Sequence, residues 1–282
     1  MLTNGGGTTK QMTSENANTA PSLRITKLGI VSRDYRYTFN NGFRDFSNTL
    51  PDILKLLDDK GCDAVLFSLF SIVPRESYAP RAAFQGLKNV QAVFLEEYRD
   101  EEARKAGRFV VHHLTQQGWK EYAFAQQFGT ITGRPQKDIE DFVQNELPKR
   151  IMGNNCVLLC GETNGVKYSP KGKRIIDSFS LRATLPEQVG VVLNPIHDRM
   201  TRFEMKLKRK FLSQHGRCVV SVWNKGKSDK NGAVRDGDEP AWTAYYNGQD
   251  INIPQIEHSL PKIEIGILNV ARHSGLPSVA AQ

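Results

Sequence analysis

Cys160 ends the apolar run Cys156-Val-Leu-Leu-Cys160 and opens onto the polar turn Gly161-Glu-Thr-Asn-Gly165. Apolar residues bury a strand and a glycine permits a sharp exit, so this pattern delivers one thiol to a strand end. A thiol held there can act as a nucleophile, with Glu162 two positions on and Asn164 in the same turn as a candidate substrate contact. A thiol that merely closes a buried strand is inert, and the segment alone leaves both readings open. Glu162 either orients the cysteine or its substrate, or accepts bonds from neighbouring turn amides.

A second group lies downstream. His197-Asp198-Arg199 follows Asn194-Pro195, where a strand end meets a helix start. Ligands gather at strand ends in layered α/β folds, so His197 and Asn194 can line the cleft that Cys160 faces. The competing reading is a helix capped by Asp198 or Thr201. Trp223 is a candidate cleft wall, although an indole is equally at home in a core. Arg199, Arg202, Lys206, Lys208, Arg209 and Lys210 form a basic stretch on which Phe203, Leu207 and Phe211 share one helical face. The cations then project elsewhere, either into solvent or, for Arg202, Lys206, Arg209 and Lys210, toward a nucleic-acid phosphate backbone.

No metal site is expected. Cys156 and Cys160, if extended, stand about 13 Å apart, too far to share one ion. His112 and His113 are adjacent in a strand-like run and point to opposite faces. Four cysteines in 282 residues do not form a disulfide framework, which suits a reducing compartment. With no apolar run of membrane-spanning length and no signal-like leader, the expectation is a soluble cytoplasmic protein that does not enter a membrane. A net charge of +8 permits attraction to nucleic acid without requiring it, and a homo-oligomer is equally permitted.

The elements that must position these residues alternate. Residues 1–22 are poor in large apolar side chains and read as a disordered tail; 23–275 reads as one domain, and 276–282 as a flexible end. Leu23–Val31 reads as a strand, and Phe43–Lys60 as helical, with Pro51 beginning or kinking the helix and Gly61 stopping it. Cys62–Phe70 and Val90–Leu95 read as buried strands, Glu96–Lys105 as a loop or short helix, and Arg108–Thr115 as a strand turning at Gly118. Further along come a helix over Lys137–Ile151, a strand into Cys160, a loop over Lys167–Arg174 and the strand Val189–Pro195. A helix ending near Gln214, the strand Arg217–Asn224, the strand Trp242–Tyr246 with a hairpin turn at Asn247-Gly248, and the strand Ile263–Val270 complete the chain. Strand, helix, strand in quick succession points to a layered α/β fold.

The order of these pieces resembles the nitrilase (carbon–nitrogen hydrolase) superfamily. The resemblance is carried by Leu159-Cys160-Gly-Glu162, Val191-Val-Leu-Asn194-Pro195, Lys206–Val222 running into Trp223-Asn224-Lys-Gly226, and Ile263–Val270. It implies an α-β-β-α sandwich, no cofactor, and an amidase-type hydrolase acting on a small amide-like substrate through Cys160. It also implies a glutamate base and a lysine, because a thiol needs a base and developing negative charge needs a cation. The glutamate should end the second strand, where Phe67-Ser68-Leu69-Phe70-Ser71 stands, and Glu76 is the nearest carboxylate that follows. The lysine should follow the Gly118 turn, where an overlay puts Ala125 or Gln126 and Lys120 is the lysine close by. Either loops bring Glu76 and Lys120 to Cys160, or the set is incomplete and the chain is a binding or regulatory module. A third possibility is a metal-dependent nucleic-acid phosphodiesterase, faintly suggested by Gly161-Glu-Thr-Asn164, which would need several carboxylates around Mg²⁺.

Overall fold

The computed structural model describes residues 19–34, 36, 45–74, 80–98, 107–129, 134–197, 202–226, 231, 233–234 and 239–272. Glu76, Asp198, Arg199 and Thr201, the expected tail up to residue 18 and the segment 276–282 lie outside them.

The first half of the chain builds strands β1 (Lys27–Arg33), β2 (Ala64–Phe67), β3 (Ala92–Glu97), β4 (Arg108–Thr115) and β5 (Gly118–Phe124), with helices α1 (Leu50–Asp59) and α2 (Pro80–Ala83) between them. The second half carries α3 (Gln136–Asp141), the strands β6 (Ile151–Met152), β7 (Asn155–Val157), β8 (Lys167–Ser169) and β9 (Arg174–Ile176), and the turn helix α4 (Leu181–Thr184). After β10 (Val191–Pro195) come α5 (Phe203–Leu212), β11 (Cys218–Val222), β12 (Trp242–Tyr246), β13 (Gln249–Ile251) and β14 (Ile263–Asn269). The strands form two six-stranded sheets, ordered β14-β1-β2-β3-β4-β5 and β13-β12-β11-β10-β7-β6, beside a β8-β9 hairpin.

Alternating side chains decide the layers. Leu28, Ile30, Leu66, Phe94 and Val111 of the first sheet pack with Val157, Val191, Leu193, Val220 and Trp242 of the second in one buried core. The opposite set on the first sheet, including Val31, Val65, Phe67 and Val93, packs under Leu50, Ile53, Leu54 and Leu57 of α1. Cys156, Val192 and Val219 on the outer face of the second sheet pack with Ile139, Phe142, Val143 and Leu212. The chain is therefore an α-β-β-α sandwich, the architecture the resemblance implies. Each fully buried Leu, Ile or Phe contributes roughly 1.5–3 kcal/mol relative to exposure, and three such layers are what offset the ordering of the chain.

Several sequence expectations are met closely. Pro51 stands in the first turn of α1, Gly61 follows its end at φ +69°, and Asn247-Gly248 turn β12 into β13 with φ +50° and +82°. Gly29 lets α1 pack closely on β1, since a Cβ there would stand 2.7 Å from the Leu57 side chain, which would have to shift.

Four expectations need correction. The helix expected over Lys137–Ile151 is α only to Asp141; it widens over Phe142–Glu146 and tightens to a 3-10 turn at Pro148–Arg150. Pro148 forces this, because its ring clashes with the carbonyl four residues back in an α-helix. The strand expected to run into Cys160 stops at Val157: the Asn194 side chain takes the carbonyl of Leu158 at 2.6 Å, and the chain turns away. Lys167–Arg174 is largely hairpin rather than loop, with Lys173 at φ +48° in its turn. On α5 the buried face is Met205, Lys208, Arg209 and Leu212, whereas Phe203 is 64% exposed. The apolar stripe 203, 207, 211 was the wrong one because the stems of Lys208 and Arg209 are themselves long and apolar.

Among the described residues no helix is long and apolar enough to cross a membrane.

Candidate active site

The carboxyl ends of β1, β2 and β11 are tied together by polar bonds. Ser32 Oγ donates to the carbonyl of Trp223 at 2.6 Å, the amide of Arg33 donates to Asn224 Oδ1 at 3.2 Å, and Asn224 Nδ2 donates to the carbonyl of Leu69 at 2.8 Å. Ser68 Oγ also bonds Asn224 Oδ1. These bonds cross from one sheet to the other and close the core at the end where Cys160 stands.

Cys160 begins a 3-10 turn, Cys160–Gly165, and its own φ is +20°. Gly161 is needed beside it because the backbone of Gly129 passes so close that a Cβ would collide with the Gly129 carbonyl. That is a different role from the sharp exit expected of it; the unusual φ belongs to the cysteine. The thiol is half-buried and packs against Ile196, Trp223 and Ala241. The other three cysteines are fully buried, and burial pushes each of their thiols up to about 12.

His197 interacts with both Cys160 and Glu96. Its Nε2 lies 3.3 Å from Glu96 Oε2, and its ring stands within reach of the Cys160 thiol. Burial alone would lower the imidazole, but the bonds and charges of Cys160 and Glu96 outweigh it and raise it from 6.5 to about 9. Glu96 is itself held, its Oε2 accepting from the amide of Phe70 at 2.6 Å.

Glu96 stands level with the end of β2, where the resemblance asks for an acid, but on the neighbouring strand. Leu66 of β2 pairs with Phe94 of β3, so two residues further on Ser68 is level with Glu96. Sequence reasoning missed it by assigning Glu96–Lys105 to a loop or short helix, whereas Glu96 and Glu97 are the buried last residues of β3. The signal was a carboxylate pair directly continuing an apolar strand.

Lys120 stands at the far end of the sheet. It pairs with His113, which pairs with Ala92 at the start of β3, and its Nζ donates to Gln117 Oε1 at 2.7 Å. The site end of β5 is Phe124 instead, and the cation there is Arg150. Its guanidinium lies over the Phe124 ring at 4.6 Å and donates to the carbonyl of Ala125 at 2.7 Å and to Glu162 Oε2 at 2.6 Å.

Glu162 is completely buried and accepts from the amides of Gln127 and Leu159, both at 2.8 Å. Burial lifts its carboxyl to about 7, against the Arg150 cation and those amides, which favour the charged form. Its bonds thus hold the Cys160 turn against Arg150 and the residues after β5. Asn164 accepts from Lys208 Nζ at 2.8 Å and donates to the carbonyl of Gly129 at 3.2 Å. Asn194 is fully buried and accepts from Ser221 Oγ at 2.9 Å and Arg209 Nε at 3.3 Å. Trp223 backs Cys160 and also walls a cavity of about 180 Å³ with Lys206, Trp242 and Asp250.

The basic helix is divided. Arg209 is buried beneath the site, where burial lowers it to about 10 against the pull of Tyr245 and Cys160, so it is not on the surface expected for it. Lys206 is exposed, Lys210 pairs with Asp250 at 2.6 Å, and Arg202 lies 3.8 Å from Glu204. Among the described residues no group of three His, Cys, Asp or Glu side chains could hold a metal ion.

Comparison with known proteins places likenesses beside this geometry. No family model matches the chain, and no curated protein does. Among solved structures, the chain is similar to a carbon–nitrogen hydrolase from Helicobacter pylori G27, at 10% identity over 89% of this chain and 91% of that one, with a TM-score of 0.46. It is also similar to a double mutant of the amidase from Nesterenkonia sp. AN1 in complex with acrylamide, at 10% identity over 90% and 94% of the two chains and a TM-score of 0.46. A mutant of the same amidase, with the acetamide moiety of fluoroacetamide added covalently at its active-site cysteine, is 11% identical over 92% and 95%, with a TM-score of 0.43.

Proposed function

We propose that this chain is a thiol hydrolase of small amides, with Cys160 as nucleophile, His197 as proton carrier and Glu96 as the group that orients His197. The observation that carries the reading is the imidazole bonded to both a half-buried thiol and a buried carboxylate. A nucleophile, a base within hydrogen-bond reach and a third group orienting the base make up the activated-nucleophile pattern.

In the reaction, the Cys160 sulfur attacks the carbonyl carbon with its proton already held on His197. The tetrahedral adduct collapses when the imidazolium returns that proton to the leaving nitrogen, which departs as the amine and leaves a thioester. His197 then takes a proton from water, whose oxygen attacks the thioester; the acid forms and the thiol is restored. No cofactor enters these steps. This assignment gives the base role to His197 rather than to Glu76, and asks nothing of Lys120.

The test is release of ammonia or amine from a panel of small aliphatic and aromatic amides, with Cys160→Ala and His197→Ala as controls. Iodoacetamide should label Cys160 well before Cys62, Cys156 or Cys218, whose thiols burial keeps protonated. Equal, slow labelling of all four, with no amide turned over, would leave the non-catalytic reading in possession.

A further inference from the structure

Phe70 places a bulky side chain on left-handed backbone, at φ +55°. Residues with a Cβ avoid that region, and a large one stays there only where its surroundings over-determine it. Here they do. The Phe70 amide donates to Glu96 Oε2 at 2.6 Å, and its carbonyl accepts from Arg33 Nη2 at 3.1 Å. Next to it, Ser71 Oγ donates to the carbonyl of Ser68 at 2.7 Å and accepts from the amide of Glu96 at 2.9 Å. The Phe70 ring lies 4.3 Å from the His197 imidazole, centroid to centroid, tilted by 45°, and Tyr98 meets it at 5.4 Å, edge-on.

One residue thus touches the acid through its amide and the imidazole through its ring. Extended backbone at position 70 would turn the amide away from Glu96, while glycine would keep the turn but supply no ring. The conformation and the side chain are useful only together, and this accounts for a phenylalanine where a glycine would cost less.

We propose that Phe70 is a positioning residue for the Cys160 reaction, its left-handed turn fixing Glu96 and its ring fixing the plane of His197 between Glu96 and Cys160. The inference rests on the Cys160–His197–Glu96 reading and adds a role outside those three residues.

The experiment follows the titration of the His197 ring by NMR in the full chain, assigned with His197→Gln, in wild type, Phe70→Gly, Phe70→Leu and Phe70→Tyr. Phe70→Gly relieves the backbone and removes the ring. It should lower the His197 midpoint by about one pH unit and slow Cys160 alkylation about tenfold, since one pH unit is a factor of ten in the equilibrium. Phe70→Tyr keeps turn and ring and should restore both. Should Phe70→Gly fail to fold, Phe70→Leu is read in the same way. A midpoint unmoved in the folded variants, with only the melting temperature changed, makes Phe70 a space-filler and overturns the proposal. A midpoint that moves in Phe70→Gly while wild-type Cys160 labels no faster than Cys62 upholds the hold of Phe70 on His197 and overturns the nucleophile reading, and with it the role in a Cys160 reaction.

Discussion

Nε2 of His197 lies 3.3 Å from Oε2 of Glu96, although 101 residues separate the two in sequence and they come from different sheets. Glu96 ends β3 of the first sheet, and His197 follows β10 of the second. Their bond therefore exists only when the sandwich is closed, and it holds the imidazole where Cys160 meets it.

Glu96→Gln keeps an acceptor for the Phe70 amide but removes the charge that favours the protonated imidazole. The expected result is a fall in kcat of at least about tenfold, less than the roughly 10²–10⁴-fold that a general acid–base group itself supplies, with the melting temperature little changed. Amide turnover and thermal unfolding measured on the same preparation check it. A variant as active as wild type would remove Glu96 from the reaction.

The pH dependence follows from the raised His197 value. The folded ring titrates near 9 against an ordinary 6.5, so the protonated form is the one the fold favours. Its contribution to stability is complete below 6.5 and disappears as the pH rises through 9. Activity should fall over the same upper range, since the imidazolium is the acid that protonates the leaving nitrogen. In Glu96→Gln the alkaline limb of kcat should move down toward 6.5, and a limb that stays in place would assign it to another group.

How much of this was legible in the sequence depends on the range of the forces involved. Strand β4 and the strand Trp242–Tyr246 have the bounds their alternation gives, and Leu50, Ile53, Leu54 and Leu57 bury the helical face their spacing marks. These are local patterns read by local burial. Glu96 was not legible as an acid of the site, because its relevance comes from the register of β2 on β3, a contact no window of sequence contains. Arg150 was hidden for the same reason: it reaches Glu162 only because Pro148 tightens the preceding helix. Lys120 was attractive by its distance from Gly118, yet strand pairing sends it to the other end of the sheet.

Gly161→Ala tests how tightly the cysteine turn is wedged. The added methyl would meet the backbone carbonyl of Gly129, which has no rotamer with which to yield. Overpacking of this kind costs roughly 1–3 kcal/mol, and Cys160, one residue away, would be displaced with it. The expected outcome is a lower denaturation midpoint together with slower Cys160 alkylation. Unchanged alkylation in a destabilised variant would show that the thiol's place does not depend on this contact.

Arg150→Met separates the support of the site from its chemistry. Arg150 and Glu162 are both fully buried and bonded at 2.6 Å, and the cation opposes the rise that burial imposes on the carboxyl. Methionine fills much of the same space but leaves Glu162 without its counter-charge. Breaking a buried pair from one side typically costs about 3–5 kcal/mol, because the remaining ion is desolvated without compensation. The carboxyl escapes part of that cost by taking up a proton, so the loss should be smallest at acid pH and grow as the pH rises. The double variant Arg150→Met with Glu162→Gln removes both charges and should recover a large part of the stability. Urea unfolding of wild type, both single variants and the double variant at pH 5 and pH 8 measures the coupling directly. Additive single effects would mean that the pair is not what holds the Cys160 turn. Strong coupling, with alkylation lost in the single variants and partly restored in the double, would make Glu162 a support of the nucleophile's turn and leave proton transfer to His197.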